Sequence, residues 1–215
     1  MGREGIRHQL NGEEFLILMR EQLRRTRDKD CHPLGKQGAR GAMFKVTLAS
    51  HGYTVVAKGT VPVFVEDLQH ESQVYRRLTP IQGVCVPVCL GNINLVYPYY
   101  YDVGVRIVHM MFLSWAGEFL GPYNIPAGRD QHDMRQELVF SIRAIHRAGV
   151  LHRDVRAPNI CWNEEAGRVM LIDFERSELL EVQPALRPES PNRKALRVGD
   201  VRLSEELRLA QNVLF

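Results

Sequence analysis

The sequence predicts an α+β fold, and three observations carry that expectation. Phe44-Lys45-Val46-Thr47-Leu48 and Tyr53-Thr54-Val55-Val56-Ala57-Lys58 alternate like strands on either side of a His51-Gly52 turn. Gln131 to Arg147 carries Met134, Leu138, Ile142 and Ile145 at helical spacing, and Gly149 follows as a stop. Directly after that helix, His152-Arg153-Asp154-Val155-Arg156-Ala157-Pro158-Asn159 leads into a short hairpin ending Leu171-Ile172-Asp173-Phe174.

Taken along the chain, Asn11 to Arg25 reads as a charged helix with Phe15, Leu18, Met19 and Leu23 on or near one face. Its Arg20, Arg24, Arg25 and Arg27 form a solvated face, with an acidic partner as the alternative reading. Gly35, Gly38 and Gly41 precede the strand pair, and Lys58 follows Gly41 by 17 residues. That is enough for a strand, a turn and a strand back, so Lys58 returns close to the glycine loop. Val65 to Leu78 is helix-like, with Leu68, Val74, Tyr75 and Leu78 as its buried stripe and Pro80 beyond it. Its acids are Glu66, Asp67 and Glu71. Val84 to Leu90, Ile93 to Tyr101 and Val105 to Trp115 are apolar and suited to strands, whereas Gly121 to Arg129 is loop-like. Ile160-Cys161-Trp162 and Arg168 to Ile172 form a hairpin closed by Glu164 to Gly167. Gln183 to Val198, with Pro184, Pro188 and Pro191, reads as a loop or strap. Leu203 to Leu214 reads as a short helix with Leu207, Ala210 and Leu214 inward.

Composition sets bounds. A chain of 215 residues holds one large domain or two small lobes, and 45% hydrophobic content suits a globular core. A net charge of +3 makes no case for nucleic acid. There is no run of 18 apolar residues, and Met1 to Gln9 is charged, unlike a secretory leader. The expectation is a cytoplasmic or nuclear protein with reduced thiols and no membrane partner. Cys85 and Cys89 have a spacing unsuited to zinc and read as core residues. The histidines show no metal-binding spacing, and there is no internal repeat.

The pattern H-R-D-x-x-x-x-N followed by a hydrophobic strand and Asp-Phe resembles the eukaryotic protein kinase-like superfamily, from about residue 33 to about residue 180. The resemblance implies a bilobal fold: an antiparallel β-sheet lobe with one helix, then a mostly helical, truncated lobe. The implied division is an N-terminal helical extension over 1–32, a small lobe and hinge over 33–116, a compact large lobe over 117–180, and a strap with a short helix over 181–215. ATP and Mg²⁺ are the implied cofactors. Lys58 matches the phosphate-binding Lys and Glu71 its partner, standing seven residues before Leu78. Glu66 is the competitor for that role. Asp154 matches the catalytic base, and Asn159 and Asp173 match the metal ligands. Arg156 supplies a cation that steadies the transferred phosphate. Gly38 and Gly41 match the phosphate-covering loop, and main-chain groups between Leu113 and Ala116 would meet the adenine.

Three departures stand out. Lys36 occupies the place of the first loop glycine, and Glu175 replaces the Gly of Asp-Phe-Gly. No A-P-E motif follows, and only 42 residues remain after Asp173. Compact kinases of the Rio and KEOPS type likewise stop soon after this Asp, and small kinase-like proteins of fungi carry similar H-R-D-V-R-x-P-N and I-D-F-E segments. The implied activity is transfer of the γ-phosphate of Mg-ATP to a hydroxyl acceptor, a protein Ser or Thr first. The alternatives are a small-molecule acceptor, a pseudokinase that binds nucleotide or a partner without turnover, and a nucleotide-independent scaffold. A scaffold has no physical need for Lys58, Asp154, Asn159 and Asp173 together.

Overall fold

The computed structural model describes residues 10–26, 29–38, 41–101, 104–121, 124–180 and 198–213. It is a mixed α+β structure. The chain divides into two compact units, residues 1–69 with 89–114, and residues 70–88 with 115–215.

The first unit is built on a five-stranded antiparallel sheet in the order β1-β2-β3-β5-β4, with β1 Cys31–Gly38, β2 Gly41–Leu48, β3 Tyr53–Thr60, β4 Cys89–Tyr101 and β5 Val105–Leu113. Alternation decides which side chains are buried. Phe44, Ala57 and Phe112 lie in register across three neighbouring strands, and all are fully buried. Phe44 packs edge-on against Tyr99 and Tyr101, with ring centroids 5.1 and 5.7 Å away. Helix α1, Gly12–Thr26, covers this core. Asn11 and Glu14 cap it reciprocally, each side chain accepting from the other's main-chain N–H at 2.9 Å. Phe15, Met19 and Leu23, four residues apart, are its buried stripe, and Leu18 is only half-buried. So the helix expected as an extension contributes to the core of the first unit. Of its arginines, Arg20 donates to the Asn94 carbonyl at 3.2 Å, while Arg27 lies outside the described residues.

Helix α2, Val65–Arg77, begins in the first unit and continues into the second. The second unit also holds α3 Gln131–Arg147 and α4 Val198–Val213. Its strands are short. β6 Glu118–Phe119, β8 Ile160–Asn163 and β9 Arg168–Leu171 form one sheet, ordered β6-β8-β9. β7 Val150–Leu151 pairs with β10 Glu178–Leu179. Asp130 and Asp133 form a capping box at the start of α3. Met134, Leu138, Ile142 and Ile145 are buried along it, and Ser141 donates to the Val169 carbonyl at 2.6 Å.

Some elements differ from the sequence expectation. Val84 to Val88 is not a strand. The Gly83 N–H donates to the Val86 carbonyl at 2.7 Å, and the chain turns there. Its apolar character reflects burial of Cys85 and Val86 instead. β5 ends at Leu113, two residues before Trp115. α4 starts earlier than expected, at Val198, and Leu214 lies outside the described residues, as does the strap over 183–197. No helix among the described residues is long and apolar enough to cross a membrane.

The Phe44 contacts generate a stability prediction. Phe44→Ala removes a fully buried ring from the centre of the sheet core, so urea unfolding should show a loss of about 3–5 kcal/mol. A loss below about 1 kcal/mol would show that this core collapses around the gap.

A candidate active site on the loop after helix α3

β7 delivers the chain into the loop at residues 152–156, and a one-turn helix at Ala157–Asn159 carries it into β8. Asn159 is 4% exposed. Its Nδ2 donates to the Asp154 carbonyl at 2.9 Å and to Asp154 Oδ2 at 3.0 Å. Arg156 Nε donates to the same Oδ2 at 2.9 Å, and Arg176 reaches Oδ1 at 4.0 Å. The Asp154 carboxylate is therefore oriented from one side by an amide and a guanidinium. The Arg156 side chain is itself 57% exposed, so most of its charge remains open to solvent.

His152 organises the loop from beneath. It is fully buried. Its Nε2 lies 3.0 Å from the Ile172 carbonyl, which accepts, so Nε2 carries the proton. Nδ1 is then able to accept from the Asp154 N–H at 3.3 Å. Burial lowers the pKa of His152 below its ordinary value, in keeping with a neutral ring. The ring packs at 4.6 Å on Phe174. One imidazole thus ties the loop that carries Asp154 to the segment that carries Asp173.

Asp173 takes φ +66°, a left-handed conformation that costs energy for any L residue but is tolerated by Asp. The chain then turns inward. Phe174 is fully buried, packs edge-on against Tyr75, and its N–H donates to Glu71 Oε1 at 3.1 Å. Glu71 is 1% exposed, whereas Glu66 is exposed. Glu175 is not among the described residues with positive φ, so its backbone does not need the Gly it replaces.

Of the residues expected at the site, the second unit holds Glu71, Ala116, Asp154, Arg156, Asn159 and Asp173. Asp154, Arg156 and Asn159 are joined there by hydrogen bonds. The first unit holds Gly38, Gly41, Lys58 and Leu113. Lys58 lies on the face of β3 opposite the buried Ala57, in register with Met43 and Met111. Gly38 pairs with Gly41, and residues 39 and 40 between them lie outside the described residues. A Cβ on Gly41 would come within 2.2 Å of the Gly59 carbonyl, so only Gly fits there.

The donor set for a metal is small. The amide nitrogen of Asn159 is committed to Asp154, which leaves Oδ1 as the atom able to ligate, with the Asp173 carboxylate as the second candidate donor. No cluster of three or more His, Cys, Asp or Glu suited to a metal occurs among the described residues. An all-protein cage is therefore lacking among them. Oxygen donors this few fit Mg²⁺, which keeps waters and takes phosphate oxygens for the rest of its shell.

Sequence reasoning missed Glu206. This residue of α4 is 6% exposed and accepts from the Arg153 N–H at 2.6 Å, the His152 N–H at 3.2 Å and His146 Nε2 at 2.7 Å. Arg153 has φ +65°, so Glu206 holds a strained turn at the mouth of the loop. Burial pushes the Glu206 carboxyl upward, but the hydrogen bonds from His146 and the two main-chain groups outweigh it, and its pKa is lowered. In the sequence, Glu206 is one of two adjacent acids in a helix, with no signal separating it from a solvated one.

Glu206→Gln keeps the shape but not the charge, and should destabilise the protein by about 2 kcal/mol near neutral pH, by urea unfolding. A carboxyl with a lowered native pKa stabilises above its unfolded value and loses that contribution as pH falls. The gap between parent and variant should therefore shrink below the ordinary value of 4.5. A gap independent of pH would show that the charge of Glu206 is not what holds the turn.

Comparison with known proteins bears on this loop. Residues 119–188 match the family described as Lipopolysaccharide kinase (Kdo/WaaP). The chain is 37% identical over 192 residues to the meiotic driver SPOK2 of Podospora anserina, covering 87% of this chain and 23% of that protein. It is 29% identical over 102 residues to two probable cell division control protein 7 homologues of Encephalitozoon cuniculi, covering 45% of this chain and 25% of each. The chain thus spans about a quarter of the length of the curated relatives it matches. The segment that carries the candidate site is similar in sequence to kinases.

Proposed function

We propose that this chain transfers the γ-phosphate of Mg-ATP to a hydroxyl acceptor. The observation that carries the reading is the oriented Asp154 carboxylate, held by Asn159 and Arg156 on a loop whose sequence matches a kinase family. In this reading Asp154 accepts a hydrogen bond from the acceptor hydroxyl and takes its proton as the phosphate moves. The exposed Arg156 guanidinium neutralises charge on the transferred group. Lys58 is assigned to the phosphates, with Gly38 and Gly41 covering them through main-chain N–H groups. Main-chain groups at Leu113 and Ala116 are assigned to the adenine. Asp173 and Asn159 would hold Mg²⁺, which would supply positive charge to offset that of the phosphates.

A protein Ser or Thr is the first acceptor proposed. The match over 119–188 is to lipopolysaccharide kinases, which favours a saccharide hydroxyl as the second. Transfer from radiolabelled ATP to a protein mixture and to a saccharide panel separates the two.

Calorimetry with ATP and Mg²⁺, together with a transfer assay, tests the assignment. Asp154→Asn should bind ATP much as the parent does, yet transfer phosphate at least about 10²-fold more slowly. Asp173→Ala should lose Mg²⁺-dependent nucleotide binding while keeping the parent's circular dichroism. Equal transfer by the Asp154→Asn variant and the parent would show that Asp154 only caps its loop. Binding without transfer to any acceptor would favour a pseudokinase.

A further inference from the structure

A concave site lies wholly within the second unit. It is a cavity of about 390 Å³ whose walls include Trp115, Trp162, Glu118, Glu164 and Asn124. This is within the size range of small-ligand sites. Strand alternation separates it from the face assigned to the adenine. Cys161 points to one side of β8, into a small apolar cluster with Ala116 and Met170, and the neighbouring Trp162 points to the other.

The walls are fixed by main-chain packing. Gly117 has φ +107°, and a Cβ there would sit 1.9 Å from the Trp162 carbonyl oxygen. Only Gly permits that approach, which brings residues 115–118 against β8. Asn163 Nδ2 donates to the Trp115 carbonyl at 3.1 Å, and Glu118 pairs with Trp162 in the sheet. Trp162 Nε1 donates to Glu164 Oε2 at 2.5 Å, which aims that carboxylate.

The chemistry of the lining is one-sided. Among the described residues it holds two indoles and two carboxylates, and none of the described lining residues is basic. Indole faces attract cations, and carboxylates pair with them. The Trp162 ring already carries one such contact, the exposed Arg129 guanidinium lying 5.5 Å from its centre. A planar guanidinium both stacks on an aromatic face and pairs with carboxylate, which favours it over an ammonium.

We propose that the Trp115–Trp162 cavity binds a guanidinium group, from an arginine side chain of a polypeptide or from a small free guanidinium compound. The site is independent of phosphate transfer, so either reading can fail without the other.

The protein carries only two tryptophans, and both line the cavity, so emission excited selectively from tryptophan reports there alone. Titration with N-acetyl-arginine amide should give a saturable change in emission. The neutral isostere N-acetyl-citrulline amide should bind at least about tenfold more weakly. Replacing both acids, Glu118→Gln with Glu164→Gln, should weaken arginine binding by a similar factor while near-ultraviolet circular dichroism and ATP affinity stay as in the parent. The amide oxygen introduced by Glu164→Gln can still accept from Trp162, so the ring stays in place. A polar hexapeptide with one central arginine distinguishes the sources: tighter binding than the amide assigns the site to polypeptide, and equal binding to a free cation. An equal response to arginine and citrulline, no saturation up to about 100 mM, or parent-like affinity in the double variant would overturn the proposal.

Discussion

The candidate site depends on a buried carboxylate that does no chemistry. Glu206 receives the main-chain N–H groups of His152 and Arg153 and the side chain of His146. Without it, two donors would be left unpaired beside a left-handed residue, and each such loss costs free energy comparable to a broken hydrogen bond. The orientation of Asp154 follows from that turn. A residue more than fifty positions along the chain therefore sets the direction of the candidate base.

His152 extends the same constraint. Its two ring nitrogens face opposite demands, one donating to Ile172 and the other accepting from Asp154, and only a neutral imidazole meets both. Ser177 donates to the His152 carbonyl at 3.1 Å, and His70 donates to the Ser177 carbonyl at 2.9 Å. The loop of Asp154, the segment of Asp173 and helix α2 are linked through this chain of buried and half-buried polar groups. Such a network holds its members rigidly only when every one is satisfied. Glu71 closes it by accepting from Phe174.

Strain is concentrated where the chemistry is proposed. Arg153 and Asp173 are two of the three described non-glycine residues with positive φ. Backbone of this kind persists only when its surroundings over-determine it. Here the surroundings are Glu206 for the first, and the buried Phe174 with its rings and hydrogen bond for the second.

The sequence by itself determined the local elements. Period-two alternation marked β2 and β3, and the 3.6-residue period marked α1, α2 and α3 within a residue or two, because each buries one face against a core. It also marked the loop motif, since Asp154 and Asn159 are close enough along the chain for one turn to join them. It misread Val84 to Val88, where an apolar run meant burial rather than a strand. Glu206, the tautomer of His152 and the Trp115–Trp162 cavity were decided only by tertiary structure. Each depends on groups far apart in the chain, and a lone Glu, His or Trp carries no local signal of the partner it will meet.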